Sequence, residues 1–151
     1  MKIKKDLSII VPVYNEQDSL KQLYLEIKDN VNDKYNWELI FIDDGSKDKS
    51  KEIILDLVNS DSNVKLIDFL VNKGKSEALN AGFKKCTGNI VITLDADLQD
   101  DPKEIEKFVS KVKETGGLVS GWKKNRLDSF SKRIQSKIFN FVLRFLTKIN
   151  I

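Results

Sequence analysis

The chain contains no histidine among its 151 residues. That absence excludes Ser-His-Asp and Cys-His nucleophilic catalysis, His-ligated zinc and proton transfer by imidazole. The single cysteine, Cys86, has no partner for an intramolecular disulfide and excludes a multi-cysteine metal centre. Any bound metal must therefore be held by oxygen ligands, which points to hard cations such as Mg²⁺ or Mn²⁺. Long apolar runs are also lacking. The basic start, Met1 to Lys5, is followed only by the short run Leu7–Val11 with no small-residue cleavage site, and no stretch reaches the ~18 apolar residues of a membrane-crossing helix. A soluble, cytoplasmic location without signal peptide or transmembrane helix is the resulting expectation. Neither sign of charge dominates: 26 basic and 23 acidic residues leave +3, too mild to mark a nucleic-acid binder.

What is present is a globular composition, with 40% hydrophobic and 32% charged residues in a chain long enough for one domain with a substantial core. Short β-branched runs at Leu7–Val13, Glu38–Ile42, Val64–Phe69, Asn89–Leu94 and Leu118–Ser120 read as strands. Between them lie segments of helical spacing: Leu20, Leu23, Tyr24, Ile27 and Val31; Ile53, Ile54, Leu57 and Val58; Ala78, Leu79, Ala81, Gly82 and Phe83. A fourth runs from Asp101 and Pro102 through Ile105, Phe108, Val109 and Val112, with Asp101 as its cap. Strands alternating with such helices predict an α/β domain with a mostly parallel sheet and helices on both faces. The nearly continuous apolar run Ile90–Leu94 predicts a central strand covered on both sides.

In such sheets ligands bind beyond the carboxyl ends of the strands. After the first strand, Pro12-Val13-Tyr14-Asn15-Glu16 could wall a planar base with Glu16 as anchor, or simply turn into a helix capped by Asn15. After the second, Asp43 and Asp44 could accept from ribose hydroxyls or a base N–H, or form a turn with Ser46 as helix cap. After the third, Asn72-Lys73-Gly74-Lys75 could meet a phosphate, although neither a P-loop nor a G-x-G-x-x-G pattern is present. The fourth strand end is the most informative. Asp95, Asp97, Gln99, Asp100 and Asp101 place four carboxylates and an amide within seven residues, and such crowding calls for a bound cation. The EF-hand pattern is absent, and a phospho-receiver domain would carry its acidic pair at the first strand, where Pro12-Val13-Tyr14 stands. Beyond the fifth run, Lys123, Lys124 and Arg126 form either a pocket for an anionic group or a solvated basic turn.

Residues 128–150 read as a basic amphipathic helix. Phe130, Ile134, Ile138, Phe141, Phe145 and Ile149 recur at three and four residues, while Lys132, Arg133, Lys137, Arg144 and Lys148 fall mainly elsewhere. That pattern fits a core-covering helix or one lying on anionic lipid.

These residues together resemble the family 2 glycosyltransferases with the GT-A fold, over nearly all of residues 1–151. The resemblance rests on Ser8-Ile9-Ile10-Val11-Pro12-Val13-Tyr14-Asn15-Glu16, on Asp43-Asp44-Gly45-Ser46-x-Asp48, on Asn72-x-Gly74-x-x-x-Ala78-x-Asn80-x-Gly82, and on Asp95-Ala96-Asp97-Leu98-Gln99-Asp100-x-Pro102. The last form, with the glycine-aromatic-basic turn after it, is most similar to the polyprenyl-phosphate sugar transferase branch, which includes dolichol-phosphate mannose synthases. The resemblance implies that Pro12, Tyr14, Glu16, Asp43, Asp44 and Asp95 bind the nucleoside of a UDP- or GDP-sugar. It implies that Asp95, Asp97 and Gln99 reach a Mg²⁺ or Mn²⁺ on the diphosphate. Lys123, Arg126 and Arg133 would meet the acceptor phosphate, and Asp97, Lys123 and Arg126 would carry the transfer itself. Lys123 stands where those synthases have an arginine, so a point charge replaces a bidentate fork there.

The implied reaction is inverting transfer of the sugar to a polyprenyl phosphate by a protein peripheral at the inner face of the membrane. A cell-surface glycan acceptor and an inert nucleotide-binding fragment are the alternatives. Members of this branch continue past the last helix, so a chain ending at Ile151 is expected to lack part of the acceptor side. Its apolar stripe, if left uncovered, could drive dimerisation.

Overall fold

The computed structural model describes residues 5–121. Up to Val119 they form one compact unit. Its elements alternate along the chain: β1 (Lys5–Val13), α1 (Leu20–Val31), β2 (Trp37–Asp43), α2 (Ser50–Ser60), β3 (Val64–Asp68), α3 (Lys75–Lys85) and β4 (Gly88–Thr93). A 3₁₀ turn (Pro102–Glu104) then leads into α4 (Ile105–Thr115). The strands form a four-stranded sheet of order β3-β2-β1-β4, and all its pairings are parallel.

The period of two along each strand divides the core. Leu7, Ile9, Val11 and Val13 of β1 join Trp37, Leu39 and Phe41 of β2 on one face, where α1, α2 and α4 supply Leu20, Leu23, Ile27, Ile54, Ile105 and Val109. Ile10, Ile40 and Ile42 point to the other face and pack on Ala78 of α3. Gly82 brings α3 close to that face: a Cβ there would lie 2.6 Å from the Ile10 side chain and 3.1 Å from that of Ile42. Helices thus cover both faces, as the alternating pattern predicts.

Two expectations are corrected. The run predicted to form the central strand is instead β4, which borders the sheet among the described residues, with Ile90, Val91 and Ile92 only half-buried. β1 and β2 occupy the centre, because only they have a strand on each side. Leu118–Ser120 is not a strand. It follows the left-handed cap at Gly116 (φ 67°), and Leu118 is 99% exposed, so three residues bury too little apolar area to fix an extended run. Asp101 caps the 3₁₀ turn as predicted, accepting from the Lys103 amide at 3.0 Å. Among the described residues no helix is long and apolar enough to cross a membrane. The basic helix expected at 128–150 lies outside the described residues.

The amino-terminal end of the sheet is tied by a buried carboxylate. Glu38 accepts from Ser8 Oγ at 2.5 Å, from Thr87 N at 2.6 Å and Thr87 Oγ1 at 2.9 Å, and pairs with Lys65. Burial alone would raise its pKa, but these donors outweigh it and bring the carboxyl down to about 2.

Candidate functional site

At the opposite, carboxyl end of the sheet an open cleft of ≈ 330 Å³ is lined by residues that follow each of the four strands. Its walls include Pro12, Tyr14, Glu16, Asp44, Asp95 and Asp97. Those six are among the residues that the sequence singles out at three separate strand ends; Asp43 and Gln99 do not line the cleft.

The first connection is held open by the second. Asn15 adopts a left-handed conformation (φ 57°), which asparagine tolerates better than most residues. Its amide donates to Ser46 Oγ at 3.0 Å, and its own side-chain oxygen accepts from the Lys47 amide at 2.8 Å. One residue on, the Glu16 amide donates to Ser50 Oγ at 2.9 Å. Next, the Gln17 amide donates to Asp48 Oδ2 while the Lys49 amide donates to Gln17 Oε1, both at 3.1 Å. Asn15 and Ser46 therefore cap no helix; they lace two loops together and fix Tyr14 and Glu16 on the cleft wall. This exchange has no counterpart in the sequence reading, since partners about thirty residues apart leave no local signal.

The two aspartates after β2 differ from each other. Asp43 is buried and accepts from the Ser46 amide at 3.1 Å, and it is not among the cleft-lining residues. Asp44 lines the cleft but is also nearly buried, with Oδ1 accepting from Lys73 N at 2.7 Å and Oδ2 from Gly74 N at 2.9 Å. It thereby clamps the connection ahead of α3. Gly45 (φ +72°) makes that approach possible: a Cβ there would lie 2.7 Å from the backbone of Val71 and of Asn72.

The loop after β4 is a tight acidic turn. The Asp95 amide donates to Asp100 Oδ2 at 2.9 Å, and the Gln99 amide donates to Asp97 Oδ1 at 3.1 Å. Leu98 takes a left-handed conformation (φ 61°), sparsely populated for leucine and a mark of local strain. Gln99 is exposed and not among the cleft-lining residues. Asn72, Gly74 and Lys75 complete the cleft. The sequence marks them as a possible phosphate contact; their place at a third strand end was the available signal. Lys75 forms a hydrogen-bonded ion pair with Asp95 Oδ1. Lys123, Arg126 and Arg133 lie outside the described residues.

The cleft concentrates negative charge. The Glu16 carboxyl is raised above the ordinary glutamate value, first by burial and then by repulsion from Asp97, Asp48 and Asp95, against a lowering bond from Ser19. Among the described residues no three acidic, histidine or cysteine side chains converge closely enough to form a metal cage by themselves.

Positions 8–151 match the family described as Glycosyl transferase family 2. An undecaprenyl-phosphate 4-deoxy-4-formamido-L-arabinose transferase of Salmonella choleraesuis (strain SC-B67) is 37% identical over 146 residues, covering 95% of this chain and 44% of the relative. An uncharacterized glycosyltransferase of Synechocystis sp. (strain ATCC 27184 / PCC 6803 / Kazusa) is 36% identical over 148 residues, covering 97% of this chain and 46% of the relative. The chain thus spans less than half the length of these curated relatives. Among solved structures, the mannosyltransferase PcManGT from Pyrobaculum calidifontis in complex with GDP-Man and Mn²⁺ superposes with a TM-score of 0.63 at 23% identity, over 74% of this chain and 33% of that one. TarS of S. aureus in complex with UDP-GlcNAc gives 0.61 at 20% identity, over 82% of this chain and 37% of that one. These two likenesses concern the fold. With almost the whole sequence matched and the α/β architecture in agreement, the chain belongs to glycosyl transferase family 2.

Proposed function

We propose that the cleft binds a nucleoside-diphosphate sugar, and that the whole protein transfers the sugar to a polyprenyl phosphate. The observation that carries this reading is the convergence of Pro12, Tyr14, Glu16 and Asp44 with Asp95 and Asp97 around one cleft. A base fits against Pro12 and Tyr14, with Glu16 and Asp44 as its polar neighbours. The diphosphate then falls between the amino-terminal turn of α3 and the acidic turn after β4. The names of the curated relatives support a polyprenyl-phosphate acceptor, and the bound ligands of the structural neighbours support a nucleotide-sugar donor.

The donor set suits Mg²⁺ or Mn²⁺. Its groups are carboxylate oxygens, and the charge they concentrate already raises Glu16. One or two carboxylates are what Mg²⁺ ordinarily takes from a protein where substrate phosphates and water complete its shell, and Asp95 and Asp97 supply two in this cleft. Asp95 and Asp97 would hold it, with Gln99 as a further oxygen. The ion, when bound, neutralises charge that develops on the departing diphosphate. An oxygen of the lipid phosphate attacks the anomeric carbon as the bond to the diphosphate breaks, which inverts that carbon. The phosphate is already anionic at neutral pH, so a chain without histidine loses nothing by lacking that base. Lys123, Arg126 and Arg133 would receive the acceptor phosphate at the inner face of the cell membrane, where the chain sits peripherally. The basic amphipathic stretch 128–150 would supply the contact with lipid or with a second copy.

Calorimetric titration with UDP- and GDP-sugars, in Mn²⁺ and then in EDTA, tests the reading. Binding that requires metal and prefers one base is expected. No binding of either by the folded chain would overturn it in favour of an inert module.

A further inference from the structure

Among the described residues that line the cleft, Lys75 is the cation. It is the first residue of α3, it lines the cleft with Asp95 and Asp97, and its Nζ is bonded to Asp95 Oδ1. The pair is not part of the core, since the Lys75 side chain is 60% exposed and that of Asp95 33%. An ion pair so open to water adds little to the stability of a fold. Its placement has another consequence. Asp95 is one of the two cleft carboxylates suited to a divalent cation, so the ammonium and such a cation compete for the same oxygen.

We propose that Lys75 is an internal counter-ion: it holds Asp95 while the cleft is empty and turns to the diphosphate when the nucleotide enters with its metal. The inference rests on the donor-binding reading above. A lysine suits the exchange, because its compact charge swings on a flexible four-carbon stem and needs no fixed fork geometry. Lys75 gives up one carboxylate and gains phosphate oxygens of greater charge, so the transfer is favourable only once the diphosphate is present. Lys75 therefore weakens binding of metal alone and strengthens binding of nucleotide with metal. The two ligands become coupled through it, each improving the site for the other. A lysine that merely shaped the loop would move both affinities in the same direction or neither.

The test uses the full chain and its Lys75→Met variant, which keeps the stem and removes the charge. Mn²⁺ binding is measured by the loss of the free-ion paramagnetic resonance signal, first alone. UDP and GDP are then titrated at saturating Mn²⁺. The variant is expected to bind Mn²⁺ alone about two- to fivefold more tightly. It should bind the favoured nucleotide about tenfold more weakly. Lys75→Arg, which keeps the charge, should retain the weak binding of Mn²⁺ alone. Equal or weaker Mn²⁺ binding by Lys75→Met, or no Mn²⁺ binding by either protein, overturns the proposal. Tighter Mn²⁺ binding by the variant with no UDP or GDP binding by either protein would instead sink the donor reading, and would leave Lys75 as a competitor for Asp95 alone.

Discussion

Two acidic strand ends face the same side of the sheet and are built for different work. After β2, Asp43 and Asp44 are buried and their oxygens accept from the amides of Ser46, Lys73 and Gly74. After β4, Asp95 and Asp97 stand nearer the solvent; one Asp97 oxygen holds the turn and Asp95 meets a mobile-stemmed lysine. In sequence both are pairs of aspartates behind an apolar strand. The difference lies in burial: Asp43 and Asp44 are covered by the chain, whereas Asp95 is half-buried and Asp97 exposed. Where the chain folds back over the acid, the acid serves the architecture as well as the cleft; where it does not, the acid faces the solvent side of the cleft.

The largest expected effect breaks the architectural end. Asp44→Ala strands two backbone donors and should cost about 3 kcal/mol of stability, read by chemical denaturation. A loss under 1 kcal/mol would mean that the clamp on Lys73 and Gly74 is dispensable and that the contrast is wrong. The same logic applies to Glu38, the buried acid at the far end of the sheet. Its pKa is depressed to about 2 in the folded chain, against ~4.3 unfolded, so its contribution is complete above the unfolded value and is lost as pH falls toward 2. Wild type should exceed Glu38→Gln by roughly 2 kcal/mol at pH 6, and the gap should narrow below pH 4 and close only as pH falls below 2. A constant gap would show that packing, not ionisation, sets it.

At the open end the effect moves from stability to binding. Asp97→Asn should change stability by less than about 0.5 kcal/mol and abolish the metal-dependent part of nucleotide binding. Unchanged affinity in Mn²⁺ would remove Asp97 from the metal site. The smallest effect sharpens the comparison: in Asp97→Asn the Glu16 carboxyl should titrate lower, as followed by carbon NMR. It should remain above the ordinary glutamate value, because burial is the larger cause of its shift. A Glu16 titration unmoved by the substitution would place Asp97 too far away to share the cleft.

Much of this organisation is legible in the residues. The alternation of Leu7, Ile9 and Val11 with Ser8 and Ile10 announces a strand buried on two faces, and the spacing of Leu20, Leu23, Ile27 and Val31 announces the helix that covers one of them. The strand-end rule points to Pro12, Tyr14, Glu16, Asp43, Asp44, Asp95, Asp97 and Gln99, of which all but Asp43 and Gln99 line the cleft. What periodicity does not carry is position across the sheet: Ile90–Leu94 is as apolar as a central strand, yet β4 is a border among the described residues. Nor does it carry long-range polar exchange. Asp44 lines the cleft and also clamps a loop, its two oxygens accepting from Lys73 and Gly74, and that second task has no local pattern. The role of Asn15 is hidden in the same way, because Ser46 and Lys47 are distant in the chain.

The lacing between residues 14–17 and 46–50 also bears on how this protein can be engineered. Loops are ordinarily where insertions and diversified libraries are best tolerated. Here each loop supplies donors and acceptors that the other consumes, so a graft or random library in one alone would leave orphaned amides in the other. Variation for altered base preference should therefore be introduced in both loops at once, as a single cassette.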